Sequence, residues 1–180
     1  MDGRRGRKLL IGCFGCLDAV NLHAYVVELR HAGFEITLWL SQEAMNFVHP
    51  AVLKICGADV IVDDGPNTWG ATRPSALVDG KDMMVLLPCT ANTIAQIANG
   101  LSGNRLLTCL LSFTGPVVIF PSMGSAMWRN AAVVDNVARI KRLGYQVCEP
   151  PLTPSLSGGE HRGLPTPLDV RETLLGASSD

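Results

Sequence analysis

Two segments rich in small polar residues have the composition of anion-binding loops. Residues 12–18 (GCFGCLD) follow an apolar run and precede an amphipathic stretch. Small residues at such a position let backbone N–H groups approach an anion at the positive end of the following helix. A phosphate group is the natural guest, although a tight turn without a ligand fits the same residues.

The second segment, residues 88–100 (PCTANTIAQIANG), leaves a strongly apolar run and enters a helical pattern. The hydroxyl and amide groups of Thr90, Asn92 and Thr93 can hydrogen-bond a planar, carbonyl-rich ring or a phosphate tail. The same residues also fit a helix N-cap that leads into a core helix. From the residues alone, both interpretations stay open.

The elements around these segments alternate between strand and helix. Apolar runs predict strands at 8–13, 35–40, 60–62, 83–87, 116–120 and 145–147. Amphipathic patterns and glycine stops predict helices at 19–31, 43–56, 93–99 and 125–143. This alternation predicts a three-layer α/β fold, a parallel sheet with helices on both faces. Ligands bind such sheets at the carboxyl ends of the strands, where both segments fall.

Composition narrows the class of protein. The chain has 180 residues and a formal net charge of -1, so we expect one domain over 1–180 and no nucleic-acid partner. No apolar stretch approaches the length of a membrane span, so no membrane partner is expected and the expected location is cytoplasmic. Residues 1–7 are expected to be disordered, 63–74 and 149–167 to be mobile loops or lids, and 168–180 to be a tail.

The six cysteines do not resemble a secreted disulfide framework, and we expect them to be reduced. Cys13 and Cys16 have the CxxC spacing of a thioredoxin-like dithiol. No Cys-Gly-Pro-Cys context surrounds them, which disfavours that interpretation. No metal site is expected.

Longer motifs carry a specific resemblance. Residues 88–93 (PCTANT) resemble the P-A-S-A-N-T motif of the homo-oligomeric flavin-containing cysteine decarboxylases, and residues 121–128 (PSMGSAMW) resemble their P-x-M-N-x-x-M-W motif. Ser157 and Gly158, followed by Pro167, are similar to the family's substrate-clamp loop, which we assign to 151–167. The resemblance runs from Lys8 to Pro167.

The resemblance implies a flavodoxin-like (Rossmann-like) fold that assembles as trimers, or as dodecamers made of trimers, with flavin (FMN or FAD) between subunits. The implied cofactor-binding residues are Gly15, Cys16, Leu17, Ser41, Gln42, Phe47, Cys89, Thr90, Ala91, Asn92, Thr93, Ser122 and Met123. For Cys16 and Cys89, tight packing without direct contact is an equal alternative. The implied substrate-binding residues are Met123, Met127, Trp128, Ser157, Gly158, His161 and Arg162.

Two family positions are changed. The family's essential histidine lies fourteen residues before the first motif's proline, and Pro74 stands there. The asparagine that holds the substrate carboxylate is replaced by Gly124. The catalytic residues are therefore not identified by the resemblance. Three explanations stay open: a replaced base, for which His49 and Arg73 are candidates, an inactive flavin-binding partner, or a misaligned loop.

The clamp loop separates subgroups. Phosphopantothenoylcysteine decarboxylases carry a cysteine there that reduces an enethiol intermediate, whereas this chain has Ser157. Serine cannot perform that reduction, so the resemblance is to the lanthipeptide-type peptidyl-cysteine decarboxylases, the epidermin, mersacidin and microbisporicin group. The implied activity is flavin-dependent oxidative decarboxylation of a precursor peptide's C-terminal cysteine to an aminoenethiol. The alternatives are a phosphopantothenoylcysteine decarboxylase and a non-catalytic flavin-binding regulatory subunit.

Overall fold

A six-stranded parallel sheet forms the centre of the computed structural model, which describes residues 6–63, 65, 73–154 and 159–177. Its strands are β1 (Lys8–Cys13), β2 (Glu35–Leu40), β3 (Asp59–Val62), β4 (Met83–Cys89), β5 (Val117–Pro121) and β7 (Gln146–Val147), and β6 (Met123–Gly124) lies between β5 and β7 in the chain but outside this sheet. The order across the sheet is β3-β2-β1-β4-β5-β7, and every pairing is parallel. The six predicted strands and the parallel sheet are confirmed.

Helices cover both faces of the sheet. They are α1 (Leu22–His31), α2 (Pro50–Ile55), α3 (Pro74–Val78), α4 (Ala91–Ala98), α5 (Arg105–Ser112), α6 (Ser125–Trp128), α7 (Ala131–Arg142) and α8 (Pro167–Gly176). Buried residues of α1, α2 and α8 share one core cluster, and those of α3, α4, α5 and α7 share the other. The predicted α/β fold with helices on both faces is confirmed.

Strand β4 shows why the central runs are continuously apolar. Met83, Val85 and Leu87 belong to one core cluster, whereas Met84 and Leu86 belong to the other. Because side chains alternate along a strand, a sheet covered on both faces buries every position. All seven β4 residues are buried.

The four predicted helices have different bounds in the structure, and the predicted helix 93–99 is α4, Ala91–Ala98. The predicted helix 19–31 begins as a 3-10 turn, Leu17–Asn21, before α1. The predicted helix 43–56 is a 3-10 turn, Ala44–Asn46, followed by α2, whose start is fixed by Pro50. The predicted helix 125–143 is divided because the Asn130 side chain accepts a hydrogen bond from Ala132 N and starts α7.

The sequence did not predict helices α3 and α5, nor a second sheet. Strand β8 (Leu152–Pro154) and strand β9 (Glu160–Arg162) form an antiparallel pair, and β9 also pairs with β6. The predicted loop 149–167 therefore contains two strands. Most of the predicted loop 63–74, and residues 155–158 with Ser157 and Gly158, lie outside the described residues.

The segment predicted as a tail, 168–180, lies mostly in helix α8. Thr166 and Asp169 form a capping box at its start, and Val170 and Leu174 are fully buried against the core. Arg171 Nη1 donates to Glu28 Oε1 of α1 at 2.6 Å. Residues 1–5 and 178–180 lie outside the described part. Among the described helices, none has the length and apolar character that a membrane crossing requires.

Candidate functional site

Backbone hydrogen bonds join the carboxyl ends of four neighbouring strands. Phe14 N donates to Pro88 O at 3.2 Å, and Ser41 N donates to Cys13 O at 3.0 Å. Ser122 N donates to Cys89 O at 3.0 Å. The segments that leave β1, β2, β4 and β5 are therefore fixed against one another, at the sheet edge where open α/β sheets bind ligands.

A cleft of about 730 Å³ opens at this edge. Its lining residues are Phe14, Gly15, Cys16, Ser41, Gln42, Glu43, Asp63, Gly65, Thr90, Ala91, Asn92, Thr93, Gln96, Gly103, Asn104, Ser122, Met123, Gly124, Met127 and His161. We call residues 14–16, 41–43, 90–93 and 103–104 the strand-end wall, and residues 122–124, 127 and 161 the small-sheet wall. The volume falls within the range of small-molecule and cofactor sites.

Two helix N-termini contribute to the strand-end wall. Thr90 caps α4 by accepting from Thr93 N at 3.3 Å, and its hydroxyl lies 3.0 Å from the Thr93 hydroxyl. Asn104 caps α5 by accepting from Leu107 N at 2.9 Å. Both caps line the cleft. Helix N-termini favour negative charge, so this wall suits a phosphate group.

Gly15 allows the first and second strand-end segments to touch. A Cβ atom at this position would lie 2.3 Å from Glu43 Cβ and 2.8 Å from its carbonyl carbon. No side chain fits between these two segments. The packing of residue 15 against residue 43 explains why a glycine stands here, and the predicted approach of an anion to residues 12–18 stays a prediction.

Asp18, the last residue of the segment 12–18, connects that segment to the small-sheet wall. Its Oδ2 atom accepts from Ser122 Oγ at 2.8 Å and from Leu164 N at 3.2 Å. His161 Nε2 lies 3.3 Å from the same oxygen. Cys16 Sγ donates to Ser122 Oγ at 3.4 Å. Segments more than a hundred residues apart in sequence meet at this one carboxylate.

The two cysteines of the CxxC pair lie in different environments. Cys13 is fully buried in a core cluster, whereas Cys16 faces the cleft. Burial raises the pKa of both thiols, and for Cys16 the hydrogen bond to Ser122 opposes that rise. A redox dithiol requires a lowered thiol pKa. The thioredoxin-like alternative therefore has no support in this site.

The cleft brings together most of the predicted site residues. The predicted residues in its lining are Gly15, Cys16, Ser41, Gln42, Thr90, Ala91, Asn92, Thr93, Ser122, Met123, Met127 and His161. Cys89 is fully buried beneath the cleft, which fits the tight-packing alternative. Leu17 and Phe47 are exposed and outside the lining.

Two predicted substrate residues, Trp128 and Arg162, also lie outside the lining. Trp128 Nε1 donates to Glu149 Oε1 at 3.2 Å, and Arg162 Nη1 donates to Pro150 O at 3.2 Å. Their roles, and those of the lining residues, stay predictions.

The candidates for a replaced base are placed away from the lining. His49 is exposed and caps α2, where its Nδ1 accepts from Ala51 N at 3.2 Å. Arg73 is exposed and precedes Pro74, the first residue of α3. Gly124, in contrast, lines the cleft, and a Cβ atom there would meet nothing within 4 Å. A Cβ atom at position 124 therefore has open space.

Sequence reasoning missed several residues of the site. Asn104 and Gly103 precede an apolar, helix-forming run, and this cap pattern could have revealed them. Asp18 carries no local pattern, because its partners Ser122 and His161 are distant in sequence. Within the described ranges, no group of three His, Cys, Asp or Glu side chains could hold a metal ion.

The fold and the cleft define a cofactor-binding α/β protein, and comparison with known proteins gives the class. A family model described as "Flavoprotein" matches residues 2–168. The chain belongs to the flavoprotein family.

Within that family, the resemblance to cysteine decarboxylases is confirmed. The chain is 29% identical to epidermin decarboxylase of Staphylococcus epidermidis over 169 residues, 93% of this chain and 92% of the relative. It is 27% identical over 152 residues to the coenzyme A biosynthesis bifunctional protein CoaBC of Vibrio vulnificus, 83% of this chain but only 38% of that relative.

Solved structures of cysteine decarboxylases are also similar to this chain. A substituted EpiD in complex with the substrate peptide DSYTC is similar with a TM-score of 0.82 and 28% identity, over 94% of this chain and 99% of that one. The FMN-dependent cysteine decarboxylase SpaF is similar with a TM-score of 0.78 and 27% identity, over 97% and 99% of the two chains.

Proposed function

We propose that this flavoprotein catalyses the oxidative decarboxylation of the C-terminal cysteine of a ribosomal precursor peptide, giving an aminoenethiol in lanthipeptide biosynthesis. One observation carries the proposal: residues 90–93 of the first motif and residues 122–124 of the second, far apart in sequence, line the same cleft. The relatives include epidermin decarboxylase, and a similar structure was solved with the substrate peptide DSYTC, which ends in cysteine.

The strand-end wall fits a flavin. Thr90 and Thr93 provide hydroxyl groups, Asn92 provides an exposed amide, and the N-termini of α4 and α5 provide positive potential for a phosphate. Gly15 keeps the adjoining loop close without a side chain in the way. We propose FMN rather than FAD as the cofactor, on the likeness to FMN-dependent SpaF.

The reaction requires a two-electron acceptor and control of one proton. A flavin held by the strand-end wall would supply the acceptor for the hydride of the substrate cysteine's β-carbon. The small-sheet wall then orients the peptide, whose terminal residue has room beside Gly124 and the exposed Met127. Loss of the thiol proton and of the hydride converts the substrate cysteine to a thioaldehyde. This thioaldehyde accepts the electron pair that is released when CO2 departs.

We further propose a homo-oligomer, as trimers or dodecamers of trimers, in the cytoplasm. Leu17 and Phe47 are 42% and 37% exposed and outside the cleft of one chain. A neighbouring copy of this chain would cover them and bring them to the cofactor, as the family resemblance implies. The clamp role of 151–167 is part of the same proposal.

Two alternatives stay open to test. The likeness to CoaBC allows a phosphopantothenoylcysteine substrate. Pro74, at the start of a helix outside the cleft lining, favours a non-catalytic flavin-binding subunit. No observation in the described residues favours the first alternative over a peptide substrate.

Mass spectrometry separates these possibilities. The flavin-loaded protein is incubated with peptides that end in Cys, and with the same peptides ending in Ser as matched controls. We expect a loss of about 46 Da, CO2 plus two hydrogens, from the Cys-terminal peptides alone. Conversion of phosphopantothenoylcysteine without peptide conversion would favour the first alternative. No conversion of any substrate by a flavin-loaded protein would favour the regulatory subunit.

A further inference from the structure

His161 is held at the cleft by its neighbours. It lies on β9 opposite Gly124 of β6, so it stands beside the segment that resembles the P-x-M-N-x-x-M-W motif. A Cβ atom on Gly163 would lie 3.2 Å from His161 Cδ2, so the backbone at 163 packs directly against the ring. The His161 side chain is 21% exposed and the Asp18 side chain 23%. The imidazole is therefore confined but open to the cleft.

The hydrogen bonds around His161 select its tautomer. Ser122 Oγ donates its only proton to Asp18 Oδ2 at 2.8 Å. His161 Nε2 lies 3.3 Å from that same carboxylate oxygen and 3.5 Å from Ser122 Oγ. Both neighbours of Nε2 can accept a hydrogen bond, so Nε2 carries the proton. In a neutral imidazole, Nδ1 then carries the lone pair.

The Nδ1 atom of His161 is available to accept a proton. Within the part of the chain that the structure describes, no hydrogen bond to His161 Nδ1 is formed. The other charged groups nearby are engaged elsewhere: Glu160 pairs with Arg129 at 3.5 Å, and Arg162 donates to Pro150 O. Asp18 is the one carboxylate in hydrogen-bond contact with the imidazole among these residues. A carboxylate at Nε2 and an unbonded Nδ1 form the arrangement of an oriented general base.

We propose that His161, positioned by Asp18 and Ser122, is the proton-transfer residue of this site and takes the role that the histidine replaced by Pro74 has in the family. The inference rests on the proposed function. The S–H bond of the substrate cysteine breaks and its proton passes to His161 Nδ1, forming an imidazolium beside Asp18. The sulfur electron pair forms C=S as hydride leaves the β-carbon for the flavin, the required oxidant. Loss of CO2 yields an enethiolate, which takes the proton back from Nδ1.

The first test does not depend on turnover. Nitrogen-15 NMR of the histidine side chains, in protein with and without flavin, reports which ring nitrogen is protonated. We expect the Nε2–H tautomer for His161, assigned by its absence in His161→Gln. In Asp18→Asn, the preference should weaken because an amide can present either a donor or an acceptor. A predominant Nδ1–H tautomer in the wild-type protein would overturn the proposal.

The second test separates the proton step from binding. His161→Gln should slow flavin reduction by a Cys-terminal peptide by at least about 100-fold, the low end of general-base effects. Flavin content should change by less than about threefold, and any loss of peptide affinity should be much smaller than the loss of rate. Asp18→Asn, nearly isosteric, serves as the second variant if His161→Gln folds poorly. His23→Gln, an exposed histidine on α1, is the matched control.

Peptide conversion by the wild-type protein and by His161→Gln distinguishes the proposed function from the proposed role of His161. If wild-type protein converts no Cys-terminal peptide, the proposed function fails and this inference fails with it. If wild-type protein converts the peptide and His161→Gln does so at an equal rate, the function stands and His161 has no part in proton transfer.

Discussion

The two walls of the cleft are built from different kinds of structure. The strand-end wall consists of segments that leave long parallel strands and enter capped helices, and backbone hydrogen bonds between Phe14, Pro88, Ser41 and Cys13 fix it. The small-sheet wall consists of short strands joined by antiparallel pairing, with neighbouring residues, and the Asp18 side chain connects it to residues 12–18. Each segment of the first wall has a local sequence pattern and is joined to the others by backbone hydrogen bonds, whereas the second wall depends on side-chain contacts between distant residues. Substitutions should therefore separate the two walls experimentally.

A glycine-to-alanine substitution should weaken flavin binding on the strand-end wall and leave it unchanged on the small-sheet wall. Gly15→Ala places a Cβ atom 2.3 Å from Glu43 Cβ, so we expect at least about tenfold weaker flavin binding, equivalent to an overpacking cost of about 1.4 kcal/mol or more. Gly124→Ala meets nothing within 4 Å and should leave flavin content unchanged. Flavin titration of both purified variants checks the pair. Equal flavin affinity in the two variants would contradict the expectation that only the strand-end wall is sensitive to an added Cβ atom.

Two helix caps provide a smaller test. Thr90→Ala removes the cap of α4 and Asn130→Ala removes the cap of α7. Each should lower the free energy of unfolding by about 1 kcal/mol in urea titrations. Only Thr90→Ala should also weaken flavin binding, because Thr90 lines the cleft and Asn130 does not. Weaker flavin binding in both variants would mean that cap loss acts through general stability.

A third test concerns the hydrogen bond between α1 and the segment that follows β9. Tyr25 OH donates to Pro165 O at 2.7 Å, and Tyr25→Phe should cost about 1 kcal/mol of unfolding free energy at pH 7. Burial, and then the nearby Asp18, raise the pKa of Tyr25 to about 12 from an ordinary value of 10.0. A raised folded-state pKa adds stability that is complete below pH 10 and is lost as pH rises through 12.

The difference between wild type and Tyr25→Phe should therefore stay constant from pH 7 to about 10 and narrow between about 10 and 12. Burial also raises the pKa of Cys109 and Cys148 to about 11, so both proteins lose stability over part of this range. Comparing the two proteins cancels that shared loss. A gap that widens with pH would contradict the assigned pKa direction.

The contrast between the walls also explains how much the sequence could predict. Runs such as 83–87, buried on both faces, show strand β4 directly, and Thr90 at the end of that run shows the start of α4. These patterns depend on neighbours in the chain. The three-residue strands β8 and β9 are too short for a period to be visible, and Asp18 meets His161 across 143 positions of sequence. Helix α8 was missed because Pro167 and the polar residues after it resemble a loop, although Thr166 and Asp169 form a capping box.

Single-turnover chemistry under anaerobic conditions tests the central claim most directly. The flavin-loaded protein is mixed with excess peptide ending in cysteine, while flavin absorbance and peptide mass are followed together. We predict that each bound flavin is reduced once and that one peptide per flavin loses about 46 Da, since oxygen is not present to reoxidise the cofactor. Oxidised flavin together with an intact peptide would contradict the account.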